Sequence, residues 1–413
     1  MQSSGGVDLR DKLLESLNVE LVKGGWIPQK CEVCSCLFYG TKKYKVCASE
    51  KCGEPTIEFD GEPNHFISIE ELNKKIELFF NKSGYSIEKP LHMLHSKNKD
   101  LKVKNLEDSL FTMAGVQILD DFLFHEMSLE NKKLKKIFIA QPSVRLLSIS
   151  KVGSLPGFYT SFINVCSEHI NPTLDEYLKD LFLWIKLIDE LFGLQEIRLK
   201  VREKIVKWND RKSPTVQIFF YYKGMELGDA GFHYEFPQKT RDSMVVSDIG
   251  FGLERLCICI NKNKRHFDLL GPYLQSFMGD YTIIDRTRTL VLLIGSNILP
   301  SDTPHGTKVR SMIKDLFAAD KGTFKWLELV PYFYAFWSGF TQLELSPLKI
   351  RDTLRSEIYR QNNRKLATDL KLNISNEELI RPTYEFVELY IHGKYGKVES
   401  LNKLDAAIKN MFL

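Results

Sequence analysis

The sequence predicts an α+β fold: an antiparallel sheet flanked by helices, preceded by a small cysteine module and followed by an all-helical domain. Three observations carry this expectation. Five of the eight cysteines fall between residues 31 and 52. Strand-like runs punctuated by turn residues fill the middle of the chain. After Phe267 the apolar spacing becomes that of helices. A length of 413 residues, 43% hydrophobic and 27% charged, gives room for about two to three ordinary domains. The expected divisions are 1–64, 65–265 and 266–413.

Taken in order, residues 8–24 read as an amphipathic helix on Leu9, Leu13, Leu14, Leu17 and Leu21, ended by Gly24-Gly25. Cys31-x2-Cys34, a spacer of twelve residues and Cys47-x4-Cys52 then match two knuckles of a four-thiolate zinc site. Phe38, Tyr39, Tyr44 and Val46 are placed to form the hairpin between them. Cys36 is the bystander, and the alternative is a set of free thiols. Four thiolates leave no open coordination position, so such a zinc is structural. Ser68-Ile69-Glu70-Glu71 reads as a capping box opening a helix through Phe80. Phe138-Ile139-Ala140 reads as a strand and Leu174–Phe192 as a long helix. Two strands follow, 215–222 and 232–236, with Lys223-Gly224 as a turn. Helical patterns then cover 285–296, 308–319, 376–390 and 401–411.

The segment Ser247-Asp248-Ile249-Gly250-Phe251-Gly252-Leu253-Glu254-Arg255 is the most informative in the chain. It joins a strand-like run to an apolar helical run, and its two glycines suit a sharp turn and a close approach to a ligand. Arg255 is expected on the first helical turn, facing a phosphate or stacking on a flat ring. Asp248 is placed to hold an ammonium group. An anion clamp beside an amine acceptor suits a site that joins ATP to an amino acid. The competing reading is a tight strand–helix turn with a surface Arg–Glu pair.

The net charge of +4 permits a nucleic-acid partner without requiring one. No apolar run approaches the roughly 20 residues of a membrane span, and no signal-peptide core is seen, so a cytoplasmic protein with no membrane partner is expected.

Together these residues resemble alanyl-tRNA synthetase, a class II aminoacyl-tRNA synthetase, most closely its archaeal form. Ile139-Ala140-Gln141-Pro142-Ser143-Val144-Arg145 resembles the strand of class motif 2, with Val152-Gly153 in its loop, and 247–255 resembles motif 3. Asp285-Arg286-Thr287-Arg288-Thr289-Leu290, Leu299-Pro300-Ser301 and the helix after Gly306 resemble the family's tRNA-reading region. The resemblance implies a class II sheet and the cofactors ATP and Mg²⁺, beside the Zn²⁺ held by Cys31, Cys34, Cys47 and Cys52. It implies as partners an amino acid, ATP and tRNA or another acceptor, with a homodimer possible. Arg145 would contact the α-phosphate and the substrate carboxylate. Arg255 would stack on adenine, and Gly252 would lie against the nucleotide. Asp248, Asp229, Gly250 and Trp208 would face the amino acid, and Arg288, Asp302 and Arg310 the tRNA.

The chain also departs from the family pattern. Leu147 and Ser148 replace an Asn-Asp pair, Gly157-Phe158 replaces Arg-His, and Ile163 stands for a glutamate. The loop from Trp208 to Pro214 lacks the usual glycines, Asp229 replaces an Asn, and so does Asp302. The family's editing and oligomerisation domains are expected to be missing, which implies a stand-alone paralogue. Two activities compatible with these departures are ATP-dependent activation of an amino acid for a specialised product, and binding of nucleotide, aminoacyl-adenylate or tRNA without adenylation.

Overall fold

The computed structural model describes residues 4–52, 66–94, 110–120, 123, 136–153, 157–208, 211–236, 243–262, 274, 281–320 and 324–392. The chain divides into two compact units, Met1–Met278 and Gly279–Leu413.

The first unit is built on one nine-stranded sheet. Its strands are β1 (Ile27–Lys30), β2 (Leu37–Gly40), β3 (Ser86–Glu88), β4 (Lys136–Val144), β5 (Ser161–Ile170), β6 (Ile197–Trp208), β7 (Arg211–Tyr222), β8 (Met225–Phe236) and β9 (Met244–Gly252). They lie in the order β1-β2-β6-β7-β8-β9-β5-β4-β3, and only β3–β4 is parallel. Long hairpins explain the middle of the order. Lys223 and Gly224 both have positive φ (46° and 86°), the two-residue turn whose twist matches a β-hairpin. The cysteine segment is the edge of this sheet: β1 pairs with β2, and β2 pairs with β6 through Tyr39 opposite Leu199.

Helices α1 (Ser4–Lys23), α2 (Ile69–Lys82), α3 (Leu174–Phe192) and α4 (Leu253–Asn261) complete the unit. Ser68 caps α2 by accepting the Glu71 N–H, and Thr173 with Glu176 forms a full capping box on α3. An aromatic cluster ties α2 and α3 to the sheet: the Phe80 ring lies 4.8 Å from Phe138 and 4.6 Å from Trp184, which stacks on Phe251 at 4.4 Å. Each such fully buried ring is worth about 1.5–3 kcal/mol. The Trp184 indole N–H donates to Ser167 Oγ at 2.8 Å, so the one polar atom in the cluster is satisfied.

In the second unit the helices are α5 (Tyr281–Gly295), α6 (Pro304–Ala319), α7 (Leu329–Ser338) and α8 (Pro347–Asp369). Thr303 and Ser346 cap α6 and α8, each followed by a proline at the first helical position. The expected helix 376–390 is broken. Asn376–Leu379 and Thr383–Phe386 are separate helical turns, the second running into a π-type turn Val387–His392. Pro382 lies at the break and has no N–H to continue the ladder. The expected helix 401–411 lies outside the described residues.

Candidate active site

Strand alternation sorts the sheet into two faces. The helix-covered face carries Phe138, Val165, Phe251, Ile249, Ala230, Ile218 and Leu199. The other is polar. Across it, Glu168 on β5 is directly opposite Asp248 on β9, Asn164 is opposite Gly252, and Gly250 is opposite both Cys166 and Asp229 on β8. The row continues through Gln217 on β7 to Arg202 and Lys204 on β6. Residues far apart in sequence are thus placed side by side by register alone.

A cavity of about 90 Å³ opens on this face between Arg145, Asp229, Asp248, Gly250, Gly252 and Arg255. These are six of the residues singled out from the sequence. Arg145 follows β4; its Nε donates to the Met113 carbonyl at 3.1 Å and its guanidinium lies 4.9 Å from the Phe162 ring centre. Arg255 sits on the first turn of α4. Its Nε donates to the Gly157 carbonyl at 3.0 Å and its Nη1 to the Glu226 carbonyl at 2.5 Å, while its guanidinium covers the Phe158 ring at 4.9 Å. Trp208 ends β6 opposite Arg211, and the residues between them, 209–210, lie outside the described residues.

The glycines act differently from the sequence expectation. Gly250 and Gly252 are not in a sharp turn: both belong to β9, and Gly252 at the helix start has φ −79° and ψ 115°. Their value is the missing side chain. A Cβ on Gly250 would come within 3.1 Å of Asn164 Nδ2, and one on Gly252 within 3.3 Å of Arg255 Cδ. The surface Arg–Glu pair is also absent. Glu254 is buried, and both its carboxylate oxygens accept the Ile163 N–H, at 3.1 and 3.0 Å. Ile163, at a position expected to carry a glutamate, is where that backbone anchor acts.

The acidic end of the site was only half legible. Asp248 and Asp229 are half-buried walls, and Glu168 beside Asp248 is fully buried. Burial, then the neighbouring Asp229, pushes Asp248 up to about 7. Burial pushes Asp229 up to about 6, opposed by the hydrogen bond from Gln217 Nε2 to its Oδ2. Burial and the adjacent Asp248 raise Glu168 well above the carboxylate range. Three carboxyls on neighbouring strands cannot all ionise at little cost without a cation among them. Glu168 stands inside a strand, two residues from Cys166, and nothing in its local sequence marks it; the register is the signal.

The opposite end is basic. A larger cavity of about 370 Å³ shares Arg145, Glu226 and Arg255 with the first and adds Lys51, Lys151, Lys200 and Arg202, with Phe158 and Phe219 in its wall. Lys200 is buried, and its ammonium donates to Ser49 Oγ at 3.0 Å. Ser49 in turn donates to Cys52 Sγ at 3.3 Å. This joins the basic cavity to the cysteine cluster. There the ligand atoms of Cys31, Cys34, Cys47 and Cys52 all lie within 4.8 Å of one another. Cys34 and Cys52 each place Sγ 3.7 Å from Cys47 Sγ. A zinc tetrahedron with bonds of about 2.3 Å sets its sulfurs about 3.8 Å apart, so the four thiols fit Zn²⁺. Burial raises the Cys31 thiol, but main-chain N–H groups of Cys34, Cys47 and Val33 outweigh it and bring the thiol down to about 6, whereas burial pushes Cys52 up to about 12; a bound cation would hold both as thiolates.

The residues expected to read tRNA are not equivalent. Arg288 is fully buried in α5, its guanidinium 4.9 Å from the Phe336 ring and 4.8 Å from the Trp337 ring, with the Trp337 indole donating to the Arg288 carbonyl at 2.9 Å. It is a core cation–π residue and presents nothing to a nucleic acid. Asp302 and Arg310 do lie together: Arg310 Nη1 donates to the exposed Asp302 carboxylate, and its Nε lies 3.5 Å from Glu357.

No helix among the described residues is long and apolar enough to cross a membrane. No family model matches the chain. Its sequence is similar to alanine–tRNA ligases of archaea. That of Korarchaeum cryptofilum is 24% identical over 295 residues, covering 67% of this chain and 30% of the relative. That of Staphylothermus marinus is 22% identical over 364 residues, covering 73% and 38%. Against Nitrosopumilus maritimus the figures are 25% over 273 residues, 63% and 29%. The chain therefore spans about a third of the length of these relatives. Among solved structures, pyrrolysyl-tRNA synthetase from Desulfitobacterium hafniense matches at 13% identity and a TM-score of 0.36, over 50% of this chain and 73% of that one. Prolyl-tRNA synthetase from Cryptosporidium parvum, complexed with L-proline and AMP, matches at 8% and a TM-score of 0.25, over 51% and 49%. The chain is a distant homologue, over about two thirds of its length, of archaeal alanine–tRNA ligases.

Proposed function

We propose that this chain activates an amino acid with ATP, as a specialised relative of alanyl-tRNA synthetase that passes the product to tRNA or another acceptor. One observation carries the reading: the cleft is segregated by charge. Cations line the larger end, carboxylates line the smaller, and Arg145 and Arg255 stand where the two meet. A molecule with phosphate at one end and ammonium at the other, an aminoacyl-adenylate or its precursors, matches that polarity.

In this reading Asp248 holds the substrate ammonium and Arg145 aligns the substrate carboxylate with the α-phosphate. A carboxylate oxygen attacks the α-phosphorus, the bond to the bridging oxygen breaks, and pyrophosphate leaves into the basic end beside Lys51, Lys200 and Arg202. The attacking carboxylate is already ionised at neutral pH, so no protein nucleophile or general base is needed; positioning and charge neutralisation do the catalysis. Glu226, the one carboxylate among the described residues of the basic wall, would hold the Mg²⁺ that accompanies ATP, which would supply further neutralisation of phosphate charge. Cys31, Cys34, Cys47 and Cys52 would hold a structural zinc that fixes Ser49 and Lys51 against the nucleotide.

A second reading, binding without adenylation, is favoured by Arg255. Its guanidinium is spent on two main-chain carbonyls and covers Phe158, the surface an adenine would need. Pyrophosphate exchange into ATP, screened over all amino acids, separates the two. Activation predicts amino-acid-dependent exchange that Arg255→Ala lowers about 10–100-fold, the loss of one charge-assisted contact. ATP binding with no exchange for any amino acid would select the second reading.

A further inference from the structure

The carboxyl end of the cleft holds more acid than one ammonium group needs. Asp248 and Asp229 both line the small cavity, from adjacent strands on the same face. Glu168, fully buried, lies opposite Asp248, and neither of its oxygens receives a hydrogen bond from an N–H or hydroxyl donor. Among the described residues, the side-chain donor to these three carboxyls is the Gln217 amide on Asp229. Lys204 and Arg145 act on Asp229 and Asp248 only through space, without an ion pair to either. Buried carboxylates lacking donors are costly unless a cation or proton is supplied.

We infer that the substrate carries two cationic nitrogens, an α-ammonium held by Asp248 over Glu168 and a second amine held by Asp229: the substrate class is a small diamino acid. The inference rests on the amino-acid-activating reading of this site. Gly250, between the two aspartates on that face, leaves the floor open: a Cβ there would meet Asn164 Nδ2 at 3.1 Å. The geometry also orients the ligand. Arg145, at the junction of the two cavities, takes the substrate carboxylate, and Asp229, on β8 opposite Phe219 of the basic wall, sets the second amine between the α-ammonium and the cationic strand β6.

The test compares L-2,4-diaminobutyrate with L-2-aminobutyrate, which differ by one terminal amine. Calorimetry on the full chain, with a non-hydrolysable ATP analogue present, is expected to show the diamino acid binding at least about tenfold more tightly, the effect of one charge-assisted hydrogen bond. Asp229→Asn, nearly isosteric, is expected to bring the ratio of the two affinities down to about one. Asp229→Ser provides the same reading if the amide variant misfolds. Asp248→Asn should weaken both ligands. Equal affinity of the two amino acids for the unmutated protein, or a preference that survives in both Asp229 variants, would overturn the inference. Pyrophosphate exchange run in parallel separates the two levels. Exchange with 2-aminobutyrate and no diamino preference overturns the substrate class alone. A diamino preference in binding without exchange overturns activation alone. Binding of neither amino acid overturns both.

Discussion

Replacing Asp248 by Asn should make the protein more stable and less able to bind an amine. Asp248 stands opposite Glu168 and near Asp229, and in the folded chain it titrates at about 7, against about 3.9 in an unfolded one. Three units correspond to about 4 kcal/mol for a sealed carboxylate at 1.36 kcal/mol per unit. Asp248 is a half-buried cavity wall, and cavity water screens this to roughly 1–2 kcal/mol. The sign follows from linkage. A raised folded pKa means that the folded state holds the proton longer, so wild-type stability from this group is present below about pH 4 and is lost as pH rises through about 7. Asn cannot ionise and has an amide that can donate to Glu168. Scanning calorimetry should therefore show little difference between the two proteins at pH 4. By pH 8 the Asn variant should melt about 1–3 °C higher, for a chain of this size. Amine binding should fall in the same protein, a trade of function for stability. A variant that melts lower at pH 8, or whose difference from wild type does not change with pH, would refute the account of Asp248 as a strained carboxylate held for its ligand.

Two other outcomes test the fold. Purified protein should carry about one zinc per chain, and Cys34→Ser or Cys52→Ser should lose it and lower the melting temperature, since the binding energy of a four-thiolate zinc is folding energy. Elemental analysis with no zinc, together with freely titratable thiols in the folded state, would refute the site. Arg288→Ala should destabilise the helical unit by about 2–4 kcal/mol, because it empties the space between Phe336 and Trp337. Denaturant titration measures this, and an Arg288→Ala protein of unchanged stability would contradict the packing role.

What the sequence revealed and what it hid have separate physical causes. Leu174–Phe192 was legible because its cap, acidic first turn and apolar spacing agree, and the structure returns the same bounds. The cysteine tetrad was legible because ligand spacing is a local property. Strand β6 went unread because its alternation pairs Arg198 and Lys200 with buried Leu199 and Val201: two cations are themselves buried, which hides the period of two. Helix α8 was hidden by a polar sequence without a clear apolar stripe, and α7 by being apolar nearly all round, with Pro331 inside it. The resemblance sets Arg288 facing tRNA, whereas its burial depends on two aromatic residues almost fifty positions away. Glu168 and Gln217 escaped for a related reason, since each matters only through the strand beside it.

These hidden residues share one property: they lie where charge is placed against its own stability. The aromatic cluster of Phe80, Phe138, Trp184 and Phe251 secures one face of the sheet, and on the other face the packing of Ile137, Ile170, Met244 and Val246 against Leu119 and Leu123 leaves the stretch from Glu168 to Lys200 to polar groups. On that stretch the signs are sorted by strand, acids on β5, β8 and β9, cations on β6 and after β4. Alternating the signs would have neutralised the face internally and left nothing for a ligand to relieve. Sorted as they are, the acids raise one another's pKa, and Arg145 and Arg255 repel each other where the two ends meet, so an amine and an anion would each lower a cost. A zwitterion with phosphate at one end and amine at the other lowers both costs together. Neither half of such a ligand would do so alone, so nucleotide and amine should each strengthen the binding of the other.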